Sequence, residues 1–207
     1  MTPLTAAQVG EFLEAAEGDR FRTLYLVAIG TGLRQGELLA LRWSDVDLDA
    51  RMLSVRHTLQ RGTRTLEEPK TERGKRTLRL GNETRDALLD HARHQRRERL
   101  AAGSSWRDGD YVFTTIQGLP LNGRNVLEAF HRALDRARLP RRSFHSLRHA
   151  FATLQIENGE ELGVVSRILG HSQIATTADV YAHLTPAMLE RSANRMDGIL
   201  KRRVSNR

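Results

Sequence analysis

Cysteine is absent from all 207 residues, which removes disulfides and thiolate metal ligation from the devices open to this chain. No apolar run approaches the ~20 residues that a membrane-spanning helix requires. The opening MTPLTAAQVGEFLEAAEGD has no basic segment followed by an apolar one, so no secretory leader is expected. Internal repeats, low-complexity tracts and an interdomain linker are also lacking. These absences point to a soluble, intracellular chain built as one main domain, and a hydrophobic content of 39% is ordinary for such a protein.

What the chain has in excess is arginine. The formal net charge is +8, and lysine and arginine release counterions when they neutralise phosphates, so nucleic acid is the expected partner. The charge comes in clusters: Arg93, Arg96, Arg97 and Arg99; Arg136, Arg138, Arg141 and Arg142; Lys201, Arg202 and Arg203. Each run alone reads equally well as a solvated helix face. Several in one small domain favour DNA.

The pattern of apolar residues predicts a mainly helical, α+β chain. Thr5 and Gln8 form a capping box ahead of the Val9, Phe12, Leu13 and Ala16 stripe. An almost wholly apolar helix runs from Phe21 to Ile29 and is broken by Gly30 and Gly32, after which a short helix restarts with Leu38, Leu39 and Leu41 inward and Arg34 and Glu37 on one face. From Arg51 to Leu80 the alternation becomes that of strands, giving a small antiparallel sheet with turns at Gly62 and Gly74 and an exposed loop that carries Lys70 and Arg73. Asn82 caps a long polar helix with Ala87, Leu88 and Ala92 on its buried side, YVF from Tyr111 reads as a strand, and Asn122 caps a further helix. Ser143 caps a helix that holds His145 and Arg148, a shorter one ends at Gly170, and Pro186 opens a C-terminal helix to Leu200.

Between Ser143 and His183 the chain places His145, Arg148, His171 and Tyr181. One guanidinium, two imidazoles and a phenol suit transfer of a phosphodiester onto tyrosine, where the phenol attacks and the others neutralise the phosphorane. A phenol with a pKa near ~10 is a poor nucleophile at neutral pH, so it needs such neighbours. Tyr25, inside an apolar helix, and Tyr111, at a strand start, read as core positions instead. His145 and His149 have the i, i+4 spacing of a zinc helix, but Ser146 stands where a metalloprotease has glutamate, so no metal site and no cofactor are expected. His57, His91, His94 and His131 read as surface groups.

The stretches TGLRQGELLALRWSDVD, EPKTERGKRTLRL, FHSLRHAFAT and LGHSQIATTADVYAH, in this order and over roughly residues 4 to 190, resemble the catalytic domain of the tyrosine recombinases, the phage integrase family. The resemblance implies that fold, and it implies roles. Arg34 and Arg148 would clamp the scissile phosphate, Lys70 would protonate the leaving 5′ oxygen, and Tyr181 would be the nucleophile. His145 and His171 would hydrogen-bond the phosphate or help move the tyrosine proton, with Glu37 supporting them. Lys75 and an Arg34 that merely pairs with Glu37 are the competing readings.

The reaction so implied is site-specific recombination through a 3′-phosphotyrosyl link, without metal, on double-stranded DNA. Self-association on DNA as a tetrameric synapse, accessory DNA-bending proteins and a cytoplasmic, nucleoid-associated location follow from the same resemblance. Alternatives from the same fold are a type IB topoisomerase-like nicking and closing enzyme and a non-catalytic DNA-binding module. The expected organisation is one catalytic domain over residues 1–200 with a basic tail at 201–207. The helical DNA-gripping domain usual in the family does not precede it, as in a fragment of a longer integrase or in one of the shorter members. The Met188, Leu189, Met196 and Ile199 stripe docks on a neighbouring subunit or folds back on its own core.

Overall fold

The computed structural model describes residues 3–60, 66–67 and 74–170. Lys70, His171, Tyr181, the Gly62 turn and everything expected beyond Gly170 lie outside the described residues. Within them the chain is helical with two small antiparallel sheets.

Helix α1 (Ala6–Ala15) opens on the expected capping box: Thr5 Oγ1 accepts from the Gln8 amide, and the Gln8 side chain accepts from the Thr5 amide. Helix α2 (Arg22–Thr31) is the central one, with Leu24, Tyr25, Val27 and Ala28 buried. Gly30 does not break it. The helix runs on to Thr31 and stops at Gly32, whose left-handed φ of 66° favours glycine. Space demands it too, because a Cβ on Gly32 would lie 2.6 Å from the Phe151 ring and 2.7 Å from Leu169.

Helix α3 (Gln35–Ala40) follows at once. Arg34 is its N-cap and Glu37 its third residue, so the pair meets at the helix start rather than along one face. Strands β1 (Val46–Asp47), β2 (Met52–Val55) and β5 (Arg76–Arg79) make a sheet in the order β1-β2-β5, with Leu53 opposite Leu78 and Val55 opposite Arg76. Strands β3 (Thr58–Leu59) and β4 (Leu66–Glu67) form the second pair. Gly36 lets α3 approach β3 closely: a Cβ there would come within 2.5 Å of Thr58 Oγ1.

Helix α4 (Asn82–Ala102) differs from its expected form at both its start and its buried face. Its N-cap is Gly81, and Asn82 instead accepts from Arg51. Its buried residues are Thr84, Leu88 and Gln95. Gln95 can be buried because its amide donates to Tyr111 O, Val112 O and Thr114 Oγ1 while its carbonyl accepts from Trp43 Nε1 at 2.7 Å. Tyr111 starts no strand. It forms one isolated bridge with Arg42, is half-buried, and has the Arg42 guanidinium 5.6 Å from its ring centroid.

Helix α5 (Gly123–Arg136) is capped by Asn122 as expected and buries Val126, Phe130, Ala133 and Leu134. Phe12, Tyr25, Phe130 and Phe144 pack as an aromatic cluster, with Phe12 and Phe130 edge-on at 5.3 Å. Burial pushes the Tyr25 phenol far up, with Asp19 adding to it, so this tyrosine stays protonated. Helix α6 (Ser146–Glu157) takes His145, not Ser143, as its N-cap, because Phe144 and His145 form a turn before it. Helix α7 (Leu162–Leu169) ends at Gly170 in the left-handed conformation, and Phe151, Ala152, Ile156, Val165 and Leu169 join α6 and α7 in a satellite core.

Candidate active site

Glu37 is the hub. It is 5% exposed, and a carboxylate is buried at that depth only if its oxygens are satisfied. Oε2 accepts from the Arg34 amide at 2.8 Å and from Arg76 Nη2 at 2.9 Å, while Oε1 accepts from Arg34 Nη1 at 2.8 Å and Arg76 Nη1 at 3.2 Å. Burial alone would raise this carboxyl, but the Arg76 hydrogen bonds and charge, joined by Arg34, hold it below its ordinary value. Among the described residues, the partners of Glu37 are thus the arginines Arg34 and Arg76.

Arg34 keeps 43% of its side chain exposed while Glu37 steers it. Arg148 is the opposite case, 3% exposed on α6. Its Nη1 donates to Gly32 O and its Nη2 to Leu169 O, each at 2.8 Å. Both acceptors are at helix C-terminal ends, of α2 and α7, where the partial negative charge of the helix favours a cation.

Arg76 completes the set. Besides Glu37 it donates through Nε to Ile168 O at 2.6 Å and through Nη1 to Gly74 O at 3.2 Å. Ile168 and Leu169 are neighbours, and Gly32 is two residues before Arg34, so the contacts close on themselves: Arg34, Glu37, Arg76, the end of α7, Arg148 and the end of α2. This ring brings Arg34, Glu37 and Arg148 to one place from distant parts of the sequence. Neither Arg76 nor its role was expected from the sequence. Strand alternation was the available signal, because it puts Arg76 on the same face as the buried Leu78.

His145 is exposed at the N-terminus of α6, its ring edge-on to His149 at 4.6 Å. Burial and the neighbouring Arg148 both lower the His149 pKa, so that imidazole stays neutral. Two histidines expected at the surface are not there. His91 is half-buried against Trp43 and Phe113, with its Nε2 at 2.8 Å from Val112 O and its pKa lowered by burial, and His131 is half-buried with its Nε2 at 2.9 Å from Arg142 O.

The basic clusters are partly neutralised. Arg93 pairs with Asp90, Arg99 with Asp108, Arg136 with Asp19 and Arg141 with Asp135, as solvated helix faces do. Beside Arg76 lies an open groove of about 510 Å³ lined by Arg56, His57, Lys75 and Thr77. A second cavity of about 340 Å³, under α4 and lined by Trp43, Gln95, Arg96, Trp106 and Tyr111, contains none of the candidate catalytic residues. Among the described residues, no helix is long and apolar enough to cross a membrane.

The model of the phage integrase family matches residues 3–188. A tyrosine recombinase XerC-like protein of Caldanaerobacter subterraneus subsp. tengcongensis is 38% identical over 193 residues, covering 86% of this chain and 49% of its own length. An integrase of Streptomyces ambofaciens is 37% identical, with 96% of this chain and 53% of its own length covered. The chain therefore spans about half the length of these relatives. Among solved structures, the Tn1549 transposon integrase in complex with transposon right end DNA superposes with a TM-score of 0.79 at 26% identity, over 95% of this chain and 66% of that one. XerA recombinase gives 0.75 at 26% identity, over 95% and 65%. Motifs, fold and the match across most of its length agree: this chain belongs to the phage integrase family.

Proposed function

We propose that the protein is the catalytic part of a site-specific DNA recombinase that cleaves one strand of a duplex through a 3′-phosphotyrosyl link at Tyr181 and passes it to a partner strand. The observation that carries this reading is the ring that joins Arg34 to Arg148 through Glu37, Arg76 and the end of α7. Two guanidiniums held on one scaffold match the charge of a pentavalent phosphorane, and preorganised donors act without reorganisation as that charge develops. His145, at the N-terminus of α6, has a position that favours an anion.

In this mechanism the Tyr181 phenol oxygen attacks the scissile phosphorus, and the bond from phosphorus to the 5′ oxygen breaks. The phenol proton passes toward the histidines, His145 and His171, and Lys70 gives a proton to the leaving 5′ oxygen. One phosphodiester replaces another, so a 5′ hydroxyl from a second strand reverses the step without ATP. The groove with Arg56 and Lys75 offers a path for the duplex backbone. The Tn1549 integrase was solved with DNA, which supports the same class of partner here. Assembly of several copies on that DNA is part of the proposal, with the segment from Pro186 to Leu200 as the docking element; so are accessory DNA-bending proteins and a nucleoid location.

The test is trapping on a library of nicked suicide duplexes with wild type and Tyr181→Phe. A protease-sensitive covalent adduct that disappears in Tyr181→Phe is expected, and an adduct that persists in it would overturn the assignment of the nucleophile. Relaxation of supercoils without exchange between paired inverted sites would move the reading to a nicking and closing enzyme.

A further inference from the structure

Arg76 occupies a place where the sheet calls for an apolar side chain. It pairs with Val55 at the start of β5, and directly opposed residues share a face, so its side chain points the same way as the buried Val55 and Leu78. It is 7% exposed. Burying a guanidinium is costly unless its donors are placed, and here they are: two go to Glu37, one to Ile168 O, and Nη1 also reaches Gly74 O. Gly74 is four residues from Lys70 in sequence, and Ile168 is three from His171.

We propose that Arg76 is a positioning residue for strand cleavage, which fixes the Glu37 carboxylate against Arg34 and ties that pair to the end of α7 and to the strand that follows the Lys70 loop. The inference rests on the recombinase reading. Geometry explains why arginine is used: its planar fork spans both carboxylate oxygens while Nε still reaches a carbonyl on another element, which the single ammonium of lysine cannot do. Without Arg76, Glu37 keeps only the Arg34 bonds and Ile168 O loses this donor. Arg34 would then be drawn further onto the carboxylate, away from a phosphate.

Arg76→Gln and Arg76→Lys test this against wild type by three measurements: duplex affinity by mobility shift, single-turnover adduct formation at saturating protein, and titration of the Glu37 carboxyl by NMR. Arg76→Gln is expected to slow adduct formation per bound duplex by about tenfold to hundredfold, the range for a small misplacement of reacting groups. Because Arg76 is buried, duplex affinity should change by less than about threefold, well under the rate effect. Glu37 should titrate at higher pH, since of the two cations against it only Arg34 remains. Arg76→Lys, which keeps the charge and guards against simple misfolding, should fall between. Adduct formation at the wild-type rate per bound duplex, a loss wholly explained by affinity, or an unmoved Glu37 titration would each overturn the proposal. No adduct from wild type would sink the recombinase reading itself, and the Glu37 titration would still decide whether Arg76 fixes the carboxylate.

Discussion

Gly32→Ala tests the stop of α2 and the core packed against it in one substitution. Two costs add. Alanine at the left-handed φ of 66° is strained by about 1–2 kcal/mol. The new methyl would also lie 2.6 Å from the Phe151 ring and 2.7 Å from Leu169, both buried, and forcing a methyl into packed core costs about 1–3 kcal/mol. The total is about 2–5 kcal/mol, which for a domain of this size is a fall in Tm of about 4–20 °C. Urea and thermal melts read it. Gly10→Ala is the control: this glycine is exposed inside α1 with nothing within 4 Å of its Cβ position, and the change should gain about 0.5–1 kcal/mol. Gly32→Asn separates the two costs, since asparagine tolerates the left-handed region but carries the same Cβ. Gly32→Ala within about 0.5 kcal/mol of wild type would refute both the strain and the overlap.

Glu37→Gln should destabilise strongly at neutral pH by leaving Arg76 buried without its carboxylate, a change of about 3–5 kcal/mol for a broken buried pair. Because the Glu37 pKa is held down in the folded state, its contribution is present above the unfolded carboxylate value and is lost as pH falls through the folded one. The gap between wild type and Glu37→Gln should therefore narrow on acidification, and a gap constant with pH in urea melts contradicts the assignment. Gln95→Leu should cost roughly 1–3 kcal/mol for the orphaned Trp43 Nε1 alone, although leucine is the more apolar residue. Equal or greater stability by calorimetry would show that water replaces the amide there.

How much of this was legible depended on whether the signal was local. The Thr5 and Gln8 box, the Asn122 cap and the Gly170 stop use residues within a few positions of one another, and all formed as read. The motifs around Arg34 and Arg148 named residues that the fold does bring together, but not how. That contact runs through carbonyls at Gly32, Ile168 and Leu169, and every residue has a carbonyl, so the sequence carries no mark of which ones accept. His91 reads as a surface group and nothing local marks Gln95 as buried, because the groups that satisfy them, Val112 O and the Trp43 indole, are far away in sequence. Gly30 misled for a related reason. It lies within a helix because Thr84 of α4 approaches so closely that a Cβ would meet its hydroxyl at 2.4 Å.

The closed ring also sets an order in time. A ribosome delivers Arg34 and Glu37 early, Arg76 later, and the α7 carbonyls at Ile168 and Leu169 only near the end of the described chain. At about 5–20 residues per second, on the order of ten seconds separates the first member from the last. Until Arg76 emerges Glu37 has only its Arg34 bonds, and until α7 emerges Arg76 lacks its Ile168 acceptor, so the growing chain cannot close the ring ahead of the rest. The ring of buried charges is in this way kept open until α7 has been made.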